Sequence, residues 1–275
     1  MMKISVITAT FNSEATLPRN LESISKQKYK NIEHVFIDNC STDNTIQIIQ
    51  DYKINNPEIE ISIISEPDKG ISDAFNKGIK NASGEVLLIL NSDDFLINDR
   101  AIESIADIFN KNKNIKAVHG DMYFCDPKYG SNIRQPLLCH PKITMPINHP
   151  TFFVKKDVYE DVGVFSDRYK YAMDYDLICR IHKNYDWDNQ VYYFRDFPIT
   201  QMNSGGVSDL FEYRALKECK EILIQNKMYD QSSKNDLMLR HIRVRIKSIL
   251  SKIGLKKIIT YWRNLKWKGL RSSES

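Results

Sequence analysis

Two adjacent carboxylates follow the most apolar run in the first half of the chain. Val86-Leu87-Leu88-Ile89-Leu90 leads into Asn91-Ser92-Asp93-Asp94. Left unpaired, such a pair costs stability through mutual repulsion and desolvation. A hard divalent cation, Mn²⁺ or Mg²⁺, removes that cost, because such ions bind through one or two carboxylates plus substrate phosphates. A plain turn is the other reading, since Asp and Asn favour turns. Thr8-Ala9-Thr10-Phe11-Asn12, Asp38-Asn39 and Glu66-Pro67-Asp68 repeat the placement, each after a short run rich in Ile or Val. A carboxylate at Asp38 can accept hydrogen bonds from a base or a ribose. Ser41, Thr42 and Asp43 are at hand to cap the next helix, which leaves Asp38 free for a ligand. Lys77, one or two turns into the helix that Lys69-Gly70 opens, can reach a phosphate or remain in solvent.

The elements that must hold these residues follow from two alternating hydrophobic periods. Lys3–Thr10, Ile32–Asp38, Ile59–Ser65 and Glu85–Asn91 read as short strands rich in Ile, Val and Leu, as in a parallel sheet covered on both faces. Helices alternate with them: one capped by Ser13 over Glu14–Gln27, one capped by Ser41 or Thr42 and running to Tyr52, one over Gly70–Ala82, and one capped by Asn98 over Asp99–Asn112. Strand and helix at this spacing predict right-handed βαβ units, whose ligands sit beyond the carboxyl ends of the strands. From residue 115 the pattern loosens. Val118–Phe124, Ile133–Leu138, Thr151–Val154 and Val191–Phe194 read as strands, and Asp174–Lys183, Asp209–Asn226 and Asn235–Ile253 as helices.

Composition narrows the class. The 275 residues, 42% hydrophobic and 27% charged, suffice for one large α/β domain or a domain with an appendage, and exclude a disordered or collagenous chain. No apolar run approaches the roughly 20 residues that span a bilayer. No signal-peptide pattern opens the sequence. Five cysteines, odd in number and without C-x-x-C spacing, argue against a disulfide framework or zinc knuckle and for a reducing, cytoplasmic setting. The absence of G-x-G-x-x-G and of a P-loop argues against a dinucleotide oxidoreductase or a P-loop ATPase.

Taken together, Thr8–Asn12, Asp38-Asn39-Cys40-Ser41-Thr42-Asp43, the stretch Glu66–Gly78 and Asn91-Ser92-Asp93-Asp94 resemble glycosyltransferase family 2, over about residues 3–210. The likeness is greatest to short bacterial members that assemble O-antigen and capsule. The resemblance implies a GT-A fold: a Rossmann-like, mostly parallel central sheet flanked by helices, here with a C-terminal helical extension. It also implies a nucleotide-sugar donor and inversion of the anomeric centre. By the same resemblance, Thr8, Thr10 and Asn12 line the nucleotide pocket, Asp38 holds the base, Asp68 lies against the nucleoside, Asp93 faces the ribose or the metal, and Asp94 is the main metal ligand. The family's D-x-D metal motif reads S-D-D here, so the division of labour between Asp93 and Asp94 stays open.

Tyr171-Ala172-Met173-Asp174-Tyr175-Asp176 resembles the family's later acidic motif, where a carboxylate at a helix start is the catalytic base. Asp174 matches it, with Met173 replacing the more frequent Glu. Asp176 is the fallback, turned away by about 100° per residue along a helix. Asp174 also reads as an ordinary first-turn carboxylate favoured by the helix dipole. His149, in His149-Pro150-Thr151-Phe152-Phe153, reads as an acceptor or phosphate contact, or as a structural histidine. Gly205 and Gly206 read as a loop offering N–H groups to a diphosphate, or as a connector. Processive synthases of the family carry transmembrane helices and a Q-x-x-R-W motif. Neither occurs here, which implies one sugar transferred per encounter.

The net charge of +4 conceals an asymmetry: residues 237–273 hold eleven Lys or Arg and no Asp or Glu, while residues 1–236 hold 28 basic against 34 acidic side chains. A boundary near residue 230 divides a catalytic domain, 1–230, from a basic amphipathic helical tail, 231–275. Within the former, about 1–115 form the nucleotide-binding half and 116–230 the acceptor half. The tail, with Trp262 and Trp267, suits an anionic membrane surface and a lipid-linked or glycan acceptor, which places the chain at the inner face of a bacterial plasma membrane. Packing of its apolar face on the body is the other reading. The acidic body, without a nucleic-acid motif, argues against a nucleic-acid partner. Two other functions compete: a sugar-nucleotide pyrophosphorylase, which needs a Gly-rich basic loop that Thr8–Asn12 lacks, and an inactive binding subunit, against which the intact Asp93, Asp94 and Asp174 argue.

Overall fold

The computed structural model of the protein describes residues 1–126, 130–203 and 211–252. The first half alternates as expected: β1 (Ile4–Thr10), α1 (Leu17–Ser25), β2 (Ile32–Asp38), α2 (Thr45–Asn55), β3 (Glu60–Ser65), α3 (Ile71–Asn81), β4 (Val86–Ile89), a short β5 (Phe95–Leu96) and α4 (Ala101–Lys111). Then come β6 (Ala117–Gly120), β7 (Met122–Asp126), β8 (Gly130–Arg134), a 3-10 turn (His149–Thr151), β9 (Phe153–Lys155), α5 (Lys156–Val162), α6 (Met173–Asn184), α7 (Trp187–Gln190), β10 (Val191–Phe194) and β11 (Thr200–Asn203). Two further helices follow, α8 (Glu212–Gln225) and α9 (Gln231–Lys252).

Seven strands form one sheet in the order β10-β6-β9-β4-β1-β2-β3, and four form another in the order β5-β11-β7-β8. In the large sheet β3, β2, β1 and β4 run parallel, and β9 runs antiparallel between β4 and β6. The period of two explains why both faces are covered. Ile4 and Val6 of β1, Phe36 of β2, and Val86 and Leu88 of β4 join one core with Leu21, Ile49 and Ile105 of α1, α2 and α4. Ile7, Val35, Ile37, Leu87 and Ile89 join the opposite core with Phe75, Val158 and Ile178 of α3, α5 and α6. A third core, containing Tyr169, Tyr175, Leu216, Ile222 and Leu237, lies where α6, α8 and α9 meet.

Three strand expectations change. Thr151–Val154 gives way to the 3-10 turn that ends at Thr151 and to β9, which begins at Phe153. Val118–Phe124 is not one strand: it divides at Asp121, β6 staying in the large sheet and β7 entering the small one. Ile133–Leu138 is strand only as far as Arg134. β5, α5, α7 and β11, unforeseen, are all short or marginally periodic.

Candidate active site

The parallel strands β3, β2, β1 and β4 bring their carboxyl ends to one edge of the sheet. The loops there are knitted together. Asn12, in a left-handed conformation with φ 48°, accepts the Thr42 N–H at 2.9 Å through Oδ1 and donates its own N–H to Ser41 Oγ at 2.9 Å. The Asp68 N–H donates to Asn39 Oδ1 at 2.9 Å, and Ser92 Oγ lies 3.0 Å from Ser13 Oγ.

Asp38 is not free. It is fully buried, and its oxygens accept hydrogen bonds from Thr10 Oγ1 (3.0 Å), Ser41 Oγ (2.5 Å), the Ser41 N–H (2.9 Å) and Ser65 Oγ (2.8 Å). A carboxylate offers about four lone-pair sites, so a base N–H at Asp38 must displace one of these donors. The cap expected of Ser41 or Thr42 also moves: α2 begins at Thr45, whose N–H and Oγ1 donate to Asp43 Oδ1 at 3.0 and 2.5 Å. Thr8 does not open onto the cleft. It is fully buried, with Oγ1 3.0 Å from Nε2 of the equally buried His34, whose pKa burial pushes down to about 3. Lys77 is fastened to its own loop, donating to Glu66 Oε1 and Pro67 O, each at 2.8 Å, with Asp73 Oδ2 at 3.4 Å. The Glu66 bond is the main reason its pKa is raised. Asp68 Oδ1 accepts the Gly70 N–H at 2.8 Å and shapes the turn into α3.

Asp93 and Asp94 differ sharply. Asp93 is exposed, and its carbonyl accepts Asn203 Nδ2 at 3.3 Å. Asp94 is 1% exposed. Its Oδ2 accepts Asn91 Nδ2 at 3.3 Å, while its Oδ1 is buried without a hydrogen-bond partner. Burial first, and then the charge of Asp93, hold its pKa well above the usual carboxylate range. A divalent cation fits this pair, supplying the missing partner and offsetting the repulsion. Among the described residues no group of three or more His, Cys, Asp or Glu is placed to hold a metal. A cation bound here would therefore take at most these two carboxylates from the described residues, leaving the rest of its shell to substrate oxygens and water, as Mg²⁺ usually does. Asn20 of α1, unforeseen, supports the turn: its Nδ2 donates to the carbonyls of Asn91 (2.9 Å) and Asp94 (3.0 Å). The signal was present, since Leu17, Leu21 and Ile24 put Asn20 on the buried face of α1.

A further carboxylate comes from the second half. β9 pairs antiparallel with β4, so the turn His149–Thr151 before it lies at the same sheet edge. The His149 ring stacks with Phe75 of α3 at 6.2 Å and meets Phe165 edge-on at 6.2 Å. Burial lowers its pKa, and the nearby Asp174 charge opposes that shift. Asp174, in the first turn of α6, is half-buried, with Oδ1 accepting the Tyr175 N–H at 2.8 Å. Asp176 is 4% exposed and engaged by Arg180 Nε (2.9 Å) and Asn226 Nδ2 (3.3 Å), so Asp174 is the accessible member of the pair. Gly205 and Gly206 lie outside the described residues.

The profile of glycosyl transferase family 2 matches residues 5–170, more than half of the chain. The chain belongs to this family. This glycosyltransferase is 29% identical over 183 residues to the PGL/p-HBAD biosynthesis glycosyltransferase of Mycobacterium bovis (strain BCG / Pasteur 1173P2), covering 66% of this chain and 70% of that one. Its fold is similar to the crystal structure of Staphylococcus aureus TarS, residues 1–349, in complex with UDP-GlcNAc, with a TM-score of 0.66 and 22% identity over 88% of this chain and 73% of that one. The mannosyltransferase PcManGT of Pyrobaculum calidifontis, solved with GDP-Man and Mn²⁺, matches 96% of this chain and 80% of its own with a TM-score of 0.63 and 13% identity. The glycosyltransferase thus has the GT-A fold that its strand-end motifs resemble.

Proposed function

We propose that this glycosyltransferase moves one sugar per encounter, with inversion, from a nucleotide-diphosphate sugar to a lipid-linked glycan acceptor in bacterial surface polysaccharide (O-antigen, capsule or lipopolysaccharide) assembly. UDP is the default nucleotide. One observation carries the reading: at a single sheet edge an exposed Asp93 stands beside a buried Asp94 with an unpartnered oxygen, while the accessible Asp174 enters from the other half beside His149. The TarS complex with UDP-GlcNAc supports a UDP-sugar, and the PcManGT complex with Mn²⁺ supports a divalent cation.

The chemistry follows where charge develops. As the bond to the diphosphate breaks, negative charge grows on the leaving oxygen and positive charge on the sugar ring. A divalent cation at Asp93 and Asp94 supplies positive charge toward the departing diphosphate. Asp174 accepts the proton of the attacking hydroxyl on the opposite face. His149, whose pKa burial lowers against the opposing charge of Asp174, offers a hydrogen bond to the acceptor or a donor phosphate. Thr10, Asn12 and Asp38 hold the loops that wall the nucleotide, and Asp68 shapes the turn beneath the nucleoside. No helix among the described residues is long and apolar enough to cross a membrane. α9 exposes Met238, Leu239, Ile242, Ile246 and Ile249 beside Arg243 and Arg245, which suits peripheral binding to an anionic cytoplasmic leaflet.

The test combines a thermal-shift panel of nucleotide sugars, with and without Mn²⁺, and an assay of UDP release. Wild type and Asp174→Asn should show a Mn²⁺-dependent donor shift, which Asp93→Ala should lose. Asp174→Asn should slow turnover by about 100- to 10,000-fold. Near-normal turnover in that variant would remove Asp174 from the mechanism.

A further inference from the structure

Helix α8 lies beyond the residues that the family profile matches, yet it grips the segment that carries Asp174. The Glu218 carboxylate accepts three consecutive backbone N–H groups: Lys170 to Oε1 at 3.0 Å, then Tyr171 and Ala172 to Oε2 at 2.7 and 2.9 Å. Ala172 is the N-cap of α6 and has no side chain able to serve the helix start. The N–H of Ala172 is one of the helix-start donors that need an outside acceptor, and a negative one is favoured by the helix dipole; the N–H groups of Lys170 and Tyr171 belong to the turn that leads into it. Glu218 supplies it from a different helix, 46 residues away from Ala172 in sequence.

The rest of α8 reinforces the grip. Gln225 Oε1 accepts the Tyr169 hydroxyl at 2.7 Å and Arg168 Nη1 at 3.2 Å, and Asn226, just after α8, donates to Asp176 at 3.3 Å. Tyr169, Ala172 and Tyr175 pack in one core with Leu216, Cys219, Ile222 and Leu223. The Asp174 carboxylate is itself tied to this turn, since its Oδ1 accepts the Tyr175 N–H. A shift of the turn therefore moves the carboxylate with it.

We propose that Glu218 is the positioning residue of Asp174: its carboxylate gathers the N–H groups of residues 170–172, sets the first turn of α6 and so fixes the point from which Asp174 meets the acceptor hydroxyl. The proposal rests on the reading of Asp174 as the base. Glu218 itself touches no reacting atom. A misplacement of about 1 Å in a reacting pair costs on the order of 100-fold in rate.

The experiment uses the full chain carrying Glu218→Ala, Glu218→Gln or Glu218→Asp. Three quantities are read: UDP release from a panel of UDP-sugars that includes UDP-GlcNAc, with water as acceptor; donor Kd by calorimetry; and amide hydrogen exchange over residues 170–174. Glu218→Ala should slow UDP release about 10- to 100-fold, hold donor Kd within about twofold and speed exchange at 170–172. Glu218→Gln keeps an oxygen for Tyr171 and Ala172 but sets its NH₂ against Lys170, so it should recover most of the rate. Glu218→Asp, one methylene shorter, should fall between the two. If the alanine variant does not fold, the Gln and Asp variants decide on the same readouts. Unchanged exchange, faster exchange with an unchanged rate, or a Gln variant that loses donor binding together with rate would each overturn the proposal. Asp174→Asn runs alongside: full activity there removes the base reading, while exchange at 170–172 still reports whether Glu218 caps the turn.

Discussion

His34 and Thr8 show how a buried side chain fixes a pH limit on stability. His34 is fully buried in β2 with its pKa pushed down to about 3, and His119 in β6, 2% exposed, is pushed down to about 4, in both cases by burial. A folded pKa below the unfolded value of about 6.5 means that the unfolded chain binds the proton first. The contribution is present above pH 6.5 and declines as pH falls toward the folded values. Between pH 6.5 and 5 each of these two histidines should cost about 2 kcal/mol, and His34→Gln should remove its own share, about 2 kcal/mol, from the stability lost over that interval in urea unfolding. Identical slopes in the two proteins would show that His34 does not titrate as described. Thr8 also marks a limit of the sequence. It lies two residues from Thr10 in an alternating strand, and nothing local says that Thr10 reaches the loop while Thr8 stays in the core beneath α1, α2 and α4. Asp38 is a similar case, because the Thr10 and Ser65 hydroxyls that hold it come from neighbouring strands.

At the scale of elements, α3 sets the donor-side loops through a close approach. A Cβ on Gly78 would lie 2.2 Å from Ile7 Cγ2 in β1. Gly78→Ala gains about 1 kcal/mol in helix propensity but overpacks this contact at a cost of about 1–3 kcal/mol. The net expectation is a loss of stability on urea unfolding together with weaker donor binding, because the Asp68–Gly70 turn moves with α3. A variant as stable as wild type would mean that the sheet yields at Ile7. The four βα alternations were legible from hydrophobic period alone. The division at Asp121 was not: β6 and β7 are separated by a single residue, and they part because Ile199 N–H pairs with the Asp121 carbonyl and β11 takes β7 into the small sheet.

For the whole molecule, α9 presents two faces of different use. Leu237 and Val244 pack against α6 and α8, so the helix both contributes to a core and leaves an apolar face beside basic residues. Lys247 is held to Glu212 of α8 at 2.9 Å, whereas Arg243 and Arg245 are exposed. Arg243→Glu with Arg245→Glu should weaken binding to phosphatidylglycerol vesicles in co-sedimentation by about 30-fold or more, at about 1 kcal/mol per basic residue lost near a charged surface, and leave the melting temperature unchanged. Equal binding of wild type to neutral and anionic vesicles would dismiss the membrane reading. Trp262 and Trp267, expected to anchor this surface, lie outside the described residues.

Sequence alone settled what is local or periodic. The alternation of strand and helix, the polar residues at each strand end and the order of the motifs follow from spacing, and together they resembled the right family. Tertiary structure decided which of those polar groups have partners. Asp94 is buried with one oxygen unpartnered and Asp93 is exposed, although the two are neighbours in sequence. Asp38 is held by hydroxyls from neighbouring strands, and the N–H of the N-cap residue of α6 is taken up from α8. A hydrogen bond forms where two groups meet in space, and the chain's local pattern carries no record of which distant groups will meet.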